Sequence, residues 1–194
     1  MVKKRNFQTE DLIRECMFHF WNRGYRSTSI DDLVNLVGCS RHGIYNQIGN
    51  KDKLFSRVLD CYSREVVSPA FSLVEQPDSN FSDIGRFFNV QFDLAESNHD
   101  LVKGCLITNS ITELSALQEE SKEKIFYHNQ RLHEGYRNLL VREGVSSRWV
   151  NEKANSLAVF TNGVWLSSNC QSTTILRNTV DQFLKSFYKG LSNE

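Results

Sequence analysis

Residues Thr28 to Lys53, TSIDDLVNLVGCSRHGIYNQIGNKDK, constrain what this chain can fold into more than any other stretch. Ser29 is a natural N-cap, because its hydroxyl can accept one of the first backbone N–H groups of a helix, which lack an intrahelical partner. Asp32 puts a carboxylate in the first turn, where the helix dipole favours negative charge. Ile30, Leu33, Val34 and Val37 recur at helical spacing. Gly38 can take the left-handed conformation that ends a helix. Ser40 can then cap a second, short helix in which Arg41, His42, Tyr45 and Asn46 lie beside a buried Ile44. Two helices joined by a tight, glycine-containing turn form the helix-turn-helix pattern, and the second helix has the size and polarity to enter a DNA major groove.

The surrounding sequence is helical in pattern too. Thr9 can cap a first helix whose broad apolar face is Leu12, Ile13, Cys16, Met17, Phe20 and Trp21, closed by Gly24. Asn50 can cap a helix carrying Leu54, Phe55, Val58, Leu59 and Tyr62, and Pro69 with QPDSN at 76–80 marks the first break. Beyond it, helices are expected over Phe81–Ser97, Leu101–Leu117, Glu119–Arg142, Ser147–Ser168 and Thr173–Leu191, with a turn at 98–100 and a stop at Gly144. No strand signal is as strong. With two prolines in 194 residues, an all-α fold follows: a three-helix helix-turn-helix head over residues 1–57 and a helical body over residues 58–194.

Net charge is zero, but it is unevenly placed. Residues 1–57 hold ten Lys/Arg against six Asp/Glu, and the remainder hold thirteen against seventeen. A basic head on an acidic body is the asymmetry expected when only one end meets phosphate. The five cysteines are scattered and odd in number, which suits a reducing compartment. The apolar run around Leu157–Leu166 is interrupted by Thr161 and Asn162 and is too short for a bilayer of ~30 Å. Lys3, Lys4 and Arg5 lead into polar residues, not a signal-peptide core. A cytoplasmic protein with no membrane role is expected. GxSxG, Walker and HExxH motifs and metal-type Cys/His spacing are missing, and His99, His128 and His133 are scattered, so no enzyme activity, metal or cofactor is expected.

Phe20, Gly24, Tyr25, Thr28, Ser29, Ile30, Asp32, Leu33, Gly38, Ser40, Ile44, Tyr45, Lys51, Leu54 and Phe55, in order and without gaps, resemble the TetR/AcrR family of one-component transcriptional regulators. The resemblance covers roughly residues 9–60; the body resembles the family in layout only. The chain departs from the family pattern at His19, His42, Gln47, Ile48 and Gly49. The resemblance implies a recognition helix over 40–47 whose N-terminal residues face base edges. Arg41 is then the candidate for bidentate pairing with guanine. His42 and Asn46 can reach a base or a phosphate, and Gly43 allows close backbone approach. Tyr45 and Lys51 correspond to phosphate contacts of the family. Thr28, Ser29 and Ser40 sit at helix N-termini, which receive phosphate, and Lys3, Lys4 and Arg5 form an arm. The plainer readings are that Tyr45 only packs, that His42 is simply solvated and that His19 is a satisfied or partly buried histidine.

For the body, the resemblance implies a homodimer built on the last two helices, so that two heads read a palindromic double-stranded operator, and an effector pocket among the central helices. Ala154, Ala158 and Gly163 would allow close helix approach, and Phe160, Trp165, Phe183 and Phe187 would supply buried area. Phe87, Phe88, Phe92, Phe126, Tyr127 and Trp165 are candidate pocket walls, with Asn109, Thr112, Glu113 and His128 as polar anchors; rows of aromatics at helical spacing also read as plain core. Effector identity is not legible. Cys105, at a helix start beside Lys103, is a candidate sensor of oxidants or electrophiles or else a small buried hydrophobe. The expected function is a ligand-released regulator, commonly a repressor in this family. The alternatives are redox sensing through Cys105, a helical enzyme, or an interaction module without a DNA role.

Overall fold

The computed structural model describes residues 9–97 and 104–191, and among them every regular element is helical. The helices are α1 (Thr9–Arg23), α2 (Ile30–Val37), α3 (Arg41–Gln47), α4 (Lys51–Tyr62), α5 (Ser68–Glu75), α6 (Phe81–Ser97), α7 (Leu106–Ile111), α8 (Glu119–Arg142), α9 (Val150–Ser167) and α10 (Thr173–Leu191). None is long and apolar enough to cross a membrane. Lys3, Lys4, Arg5, the 98–100 turn and Lys103 lie outside the described residues.

The chain divides into two compact units. The first takes residues up to Glu65 together with Cys105–Phe126, and the second takes Val66–Gly104 and Tyr127 onward. The expected boundary at 57/58 falls inside α4, whose apolar side runs on through Val58, Leu59 and Tyr62 into the same core. In the first unit, α1 packs against α2, α4 and α7, and α2 against α3. Leu12, Cys16, Phe20, Leu33, Ile44, Leu54, Phe55 and Val58 are each at most 1% exposed. Arg14 grips Glu65 through Nε and Nη2 (2.9 and 2.7 Å), tying α1 to the π turn Ser63–Val67 that follows α4.

The second unit is built around aromatic rings. α6 packs on α5 and α10, and α9 on α10. Phe87, Phe88 and Phe92 from α6 surround Trp165 of α9 at ring separations of 6.0, 5.3 and 5.7 Å. Tyr136 is sealed, and its hydroxyl lies 2.8 Å from Thr161 Oγ1. Thr161 donates its only hydroxyl proton to the Leu157 carbonyl, so Tyr136 must be the donor. Arg177 of α10 reaches Asn89 and Asp93 of α6 at 2.6 and 2.5 Å.

Two expected elements came out differently. Pro69 does not break the chain: it occupies the first turn of α5, where a missing N–H leaves no bond unmade, and the break comes at Gln76. The expected helix over Leu101–Leu117 is shorter among the described residues. Gly104 has φ 71° and Cys105 is extended, so α7 begins only at Leu106. After Ile111 the chain turns into a single 3-10 turn, Leu114–Ala116.

Candidate nucleic-acid interface

The first unit builds the helix-turn-helix from its caps inward. Ser29 Oγ accepts from Asp32 N at 3.1 Å, and the Asp32 carboxylate accepts from Ser29 N at 2.7 Å, a reciprocal capping box. That hydrogen bonding holds the Asp32 carboxyl below its usual range. Gly38 closes α2 at φ 65°, a conformation that costs any residue with a Cβ, and its N–H donates to the Val34 carbonyl. Ser40 Oγ accepts from Gly43 N at 3.0 Å and starts α3. A Cβ on residue 43 would lie 3.3 Å from that oxygen, so Gly43 also leaves room for the cap.

Ile44 is fully buried and fixes the rotation of α3 about its axis. Arg41, His42, Tyr45, Asn46 and Gln47 are consequently exposed together. Tyr45 keeps 43% of its surface open, which disfavours a packing-only role. Arg41 Nη2 pairs with Asp31 of α2 at 2.5 Å. Asn46 Nδ2 lies 2.9 Å from His42 Nε2; an amide nitrogen can only donate, so Nε2 accepts and the neutral ring carries its proton on Nδ1. Ile48 turns inward at 8% exposure, and Gly49 at φ 103° makes the corner into α4. A Cβ there would meet Lys53 Cδ at 2.9 Å.

Beside α3, Asn50 Oδ1 accepts from Lys53 N and caps α4. Lys51 is half-buried with its ammonium 4.0 Å over the Tyr25 ring, and burial pushes its pKa down. The Tyr25 hydroxyl donates a short hydrogen bond to Asp52. Burial and then that carboxylate raise the phenol. The ammonium therefore stands on an aromatic shelf at the N-terminus of α4.

Most residues singled out from the sequence gather on this surface, with one correction. Thr28 is 1% exposed, and its hydroxyl donates to the Gly24 carbonyl at 2.8 Å, so its side chain is turned away from any phosphate. Ser29 and Ser40 are exposed but have their hydroxyls committed to caps. Of the departures from the family pattern, His19 is the partly buried histidine that was one of the two readings expected, but it is not a satisfied one: its Nε2 is sealed without a partner among the described residues, and burial lowers its pKa.

Sequence reasoning missed what Glu113 does. Its carboxylate accepts from both Tyr25 N and Arg26 N, at 2.7 and 3.0 Å, while Arg26 Nη2 bonds Ser115 Oγ at 2.5 Å. The segment after α7 thus clamps the loop that enters α2. Both Glu113 oxygens are occupied, so it is not a pocket anchor. Nothing in the local sequence signals a contact across 88 residues.

The proposed pocket residues divide between the units. Phe88, Phe92 and Trp165 meet in the second, at 0%, 2% and 8% exposure. Cys105, Asn109 and Phe126 belong to the first. Phe126 is 57% exposed and Tyr127 is 68% exposed, so neither walls a pocket of the single chain. Cys105 is 8% exposed and packs beside the Tyr62 hydroxyl, whose pKa burial raises. On α9, Ala154, Ala158 and Trp165 belong to the chain's own core. Val159, Gly163 and Leu166 form the outward face instead.

No protein-family model matches the chain. It is 31% identical over 110 residues to the HTH-type transcriptional repressor ComR of Escherichia coli K12, covering 56% of this chain and 52% of that protein, so the match spans about half the relative's length. The fold superposes on the TetR-family transcriptional regulator SCO4454 of Streptomyces coelicolor with a TM-score of 0.80 at 16% identity, covering 95% of this chain and 97% of that one. It also superposes on the TetR-family regulator CifR, solved with a 26 bp operator duplex, with a TM-score of 0.73 at 19% identity, covering 94% and 98%.

Proposed function

We propose that this chain, which has the fold of the TetR-family DNA-binding transcriptional regulators, is itself a homodimeric operator-binding regulator, acting as a repressor released by a small molecule. The observation that carries the reading is the exposed row Arg41, His42, Tyr45 and Asn46 on a helix locked in place by Ile44. Arg41 reads a guanine by its two guanidinium donors. Tyr45, Lys51 and the N-termini of α2 and α4 hold phosphates and set the register. Thr28 shapes the loop between α1 and α2 instead of touching DNA.

One α3 spans only a few base pairs, so a dimer with recognition helices ~34–36 Å apart reads an inverted repeat. The outer faces of α9 and α10 supply the apolar contact: Val159 is 63% exposed, Ile175 54% and Leu166 41%. The effector binds more tightly to a conformation in which the two α3 helices are wrongly spaced, and so shifts the population off the operator.

The test is fluorescence anisotropy on a labelled duplex pool at several salt concentrations, with sedimentation of the complex. The reading expects two chains per duplex and an affinity that falls steeply with salt. A single chain per duplex, or affinity indifferent to salt, contradicts it.

A further inference from the structure

In the second unit, His128 is 6% exposed, yet its imidazole makes no hydrogen bond to any described residue. Burial, and then the charge of Arg131, push its pKa down to about 4. Near neutral pH the ring therefore holds one N–H donor and one lone-pair acceptor. The sealed, unpartnered polar side-chain atom among the described residues is Nε2 of His19. Among the described residues the His128 nitrogens have no hydrogen-bond partner but are not sealed, so the small open remainder of this ring includes its polar edge. A nearly buried imidazole whose nitrogens meet no neighbouring side chain is answered by solvent at its open edge, or by a ligand group that takes the place of that solvent.

The surroundings define what could arrive. The Phe71 ring lies 5.2 Å from the imidazole, and Phe87 lies 5.8 Å beyond Phe71. Arg131 stands over the Phe71 ring, 4.9 Å from its centre. Its charge is already answered: Nε and Nη2 each donate to Glu75 at 2.6 Å, and Nη1 donates to Ser68. An anion beside His128 would find no free cation in this cluster, and an organic cation would find Glu75 taken and Arg131 repelling it.

We propose that His128 is the polar anchor of the effector site, and that the effector is a small uncharged aromatic molecule bearing one hydroxyl or carbonyl group. This rests on the effector-released reading given above. The rings of Phe71 and Phe87 take the apolar body, and the imidazole takes the single polar group. Such a molecule supplies the missing hydrogen bond without bringing a charge into an apolar surrounding.

The experiment uses the full chain and 4-methylphenol as the probe, with toluene, benzoate and benzylamine as comparisons. Imidazole resonances of the labelled wild type are followed by NMR, and affinities are measured for the wild type, His128→Phe and His128→Gln. The site predicts that 4-methylphenol shifts the His128 resonances and binds about tenfold or more tighter than each comparison. His128→Phe should erase that preference over toluene, and His128→Gln should keep part of it. Unmoved His128 resonances at millimolar 4-methylphenol overturn the site, as does equal affinity for benzoate. The wild-type spectrum decides even if a variant fails to fold. DNA binding is measured in parallel. A probe that binds at His128 on a chain without DNA affinity removes the regulator reading and leaves the site. Intact DNA binding with a silent His128 does the reverse.

Discussion

Arg41 and Asp31 hold each other at the exposed edge of the helix-turn-helix, with 57% and 68% of their side chains open. An ion pair this exposed is weak, so Asp31 orients the guanidinium without locking it away from a base. Arg41→Ala is expected to weaken operator binding about ten- to hundredfold and to blur sequence preference, while Lys51→Ala weakens all duplexes alike. Competition titrations with cognate and scrambled duplexes separate the two roles, and equal losses on both duplexes for both variants contradict them. Asp31→Asn frees Arg41 and removes a negative charge from the face. Tighter binding to scrambled DNA is the expected result in the same assay. At the other end of the burial scale, the folded state keeps His128 neutral down to about pH 4, whereas an unfolded histidine takes its proton near 6.5. Stability from this residue is complete above about pH 6.5 and is lost as the pH falls toward 4. Denaturant titrations across that window should show a fall that His128→Phe reduces; an identical pH profile in the variant contradicts it. Arg41 and Tyr45 were legible in the sequence because local periodicity sets their exposure. The buried hydroxyl of Thr28 was not, because its partner carbonyl depends on how the loop at Gly24 closes.

At the scale of elements, capping chemistry was the part that sequence alone could read. Ser29, Gly38, Ser40 and Asn50 all perform the terminal roles their residue types suggest. Ser29→Ala should cost about 0.5–2 kcal/mol by thermal or denaturant unfolding, since it removes an acceptor for the Asp32 N–H. Pro69 misled because a proline reads as a break unless one knows that it falls in a first turn. The 101–117 segment misled because apolar spacing cannot show that Gly104 and Cys105 leave helical geometry. The clamp by Glu113 depends on tertiary contact and left no trace in local pattern. Glu113→Gln would set an amide group against a backbone N–H. Faster hydrogen exchange at Tyr25 and Arg26, with several-fold weaker DNA binding and an intact fold, is expected; unchanged exchange at both amides contradicts the clamp.

At the scale of the whole molecule, the proposed operator binding calls for two copies, because a helix as short as α3 would command few base pairs by itself. Val159 and Ile175 are large apolar side chains left open on α9 and α10, the surface a second copy would cover. Val159→Asp with Ile175→Asp should yield single chains in sedimentation and lose operator affinity, while helical content is preserved. The uneven charge of the sequence points the same way, with its basic excess in the part that carries α3. The most direct test is selection of bound duplexes from a random DNA pool by the full chain. The account predicts enrichment of an inverted repeat whose half-sites lie about one helical turn apart or a multiple of it. Enrichment of a sequence without two-fold symmetry, or no enrichment at low salt, would contradict it.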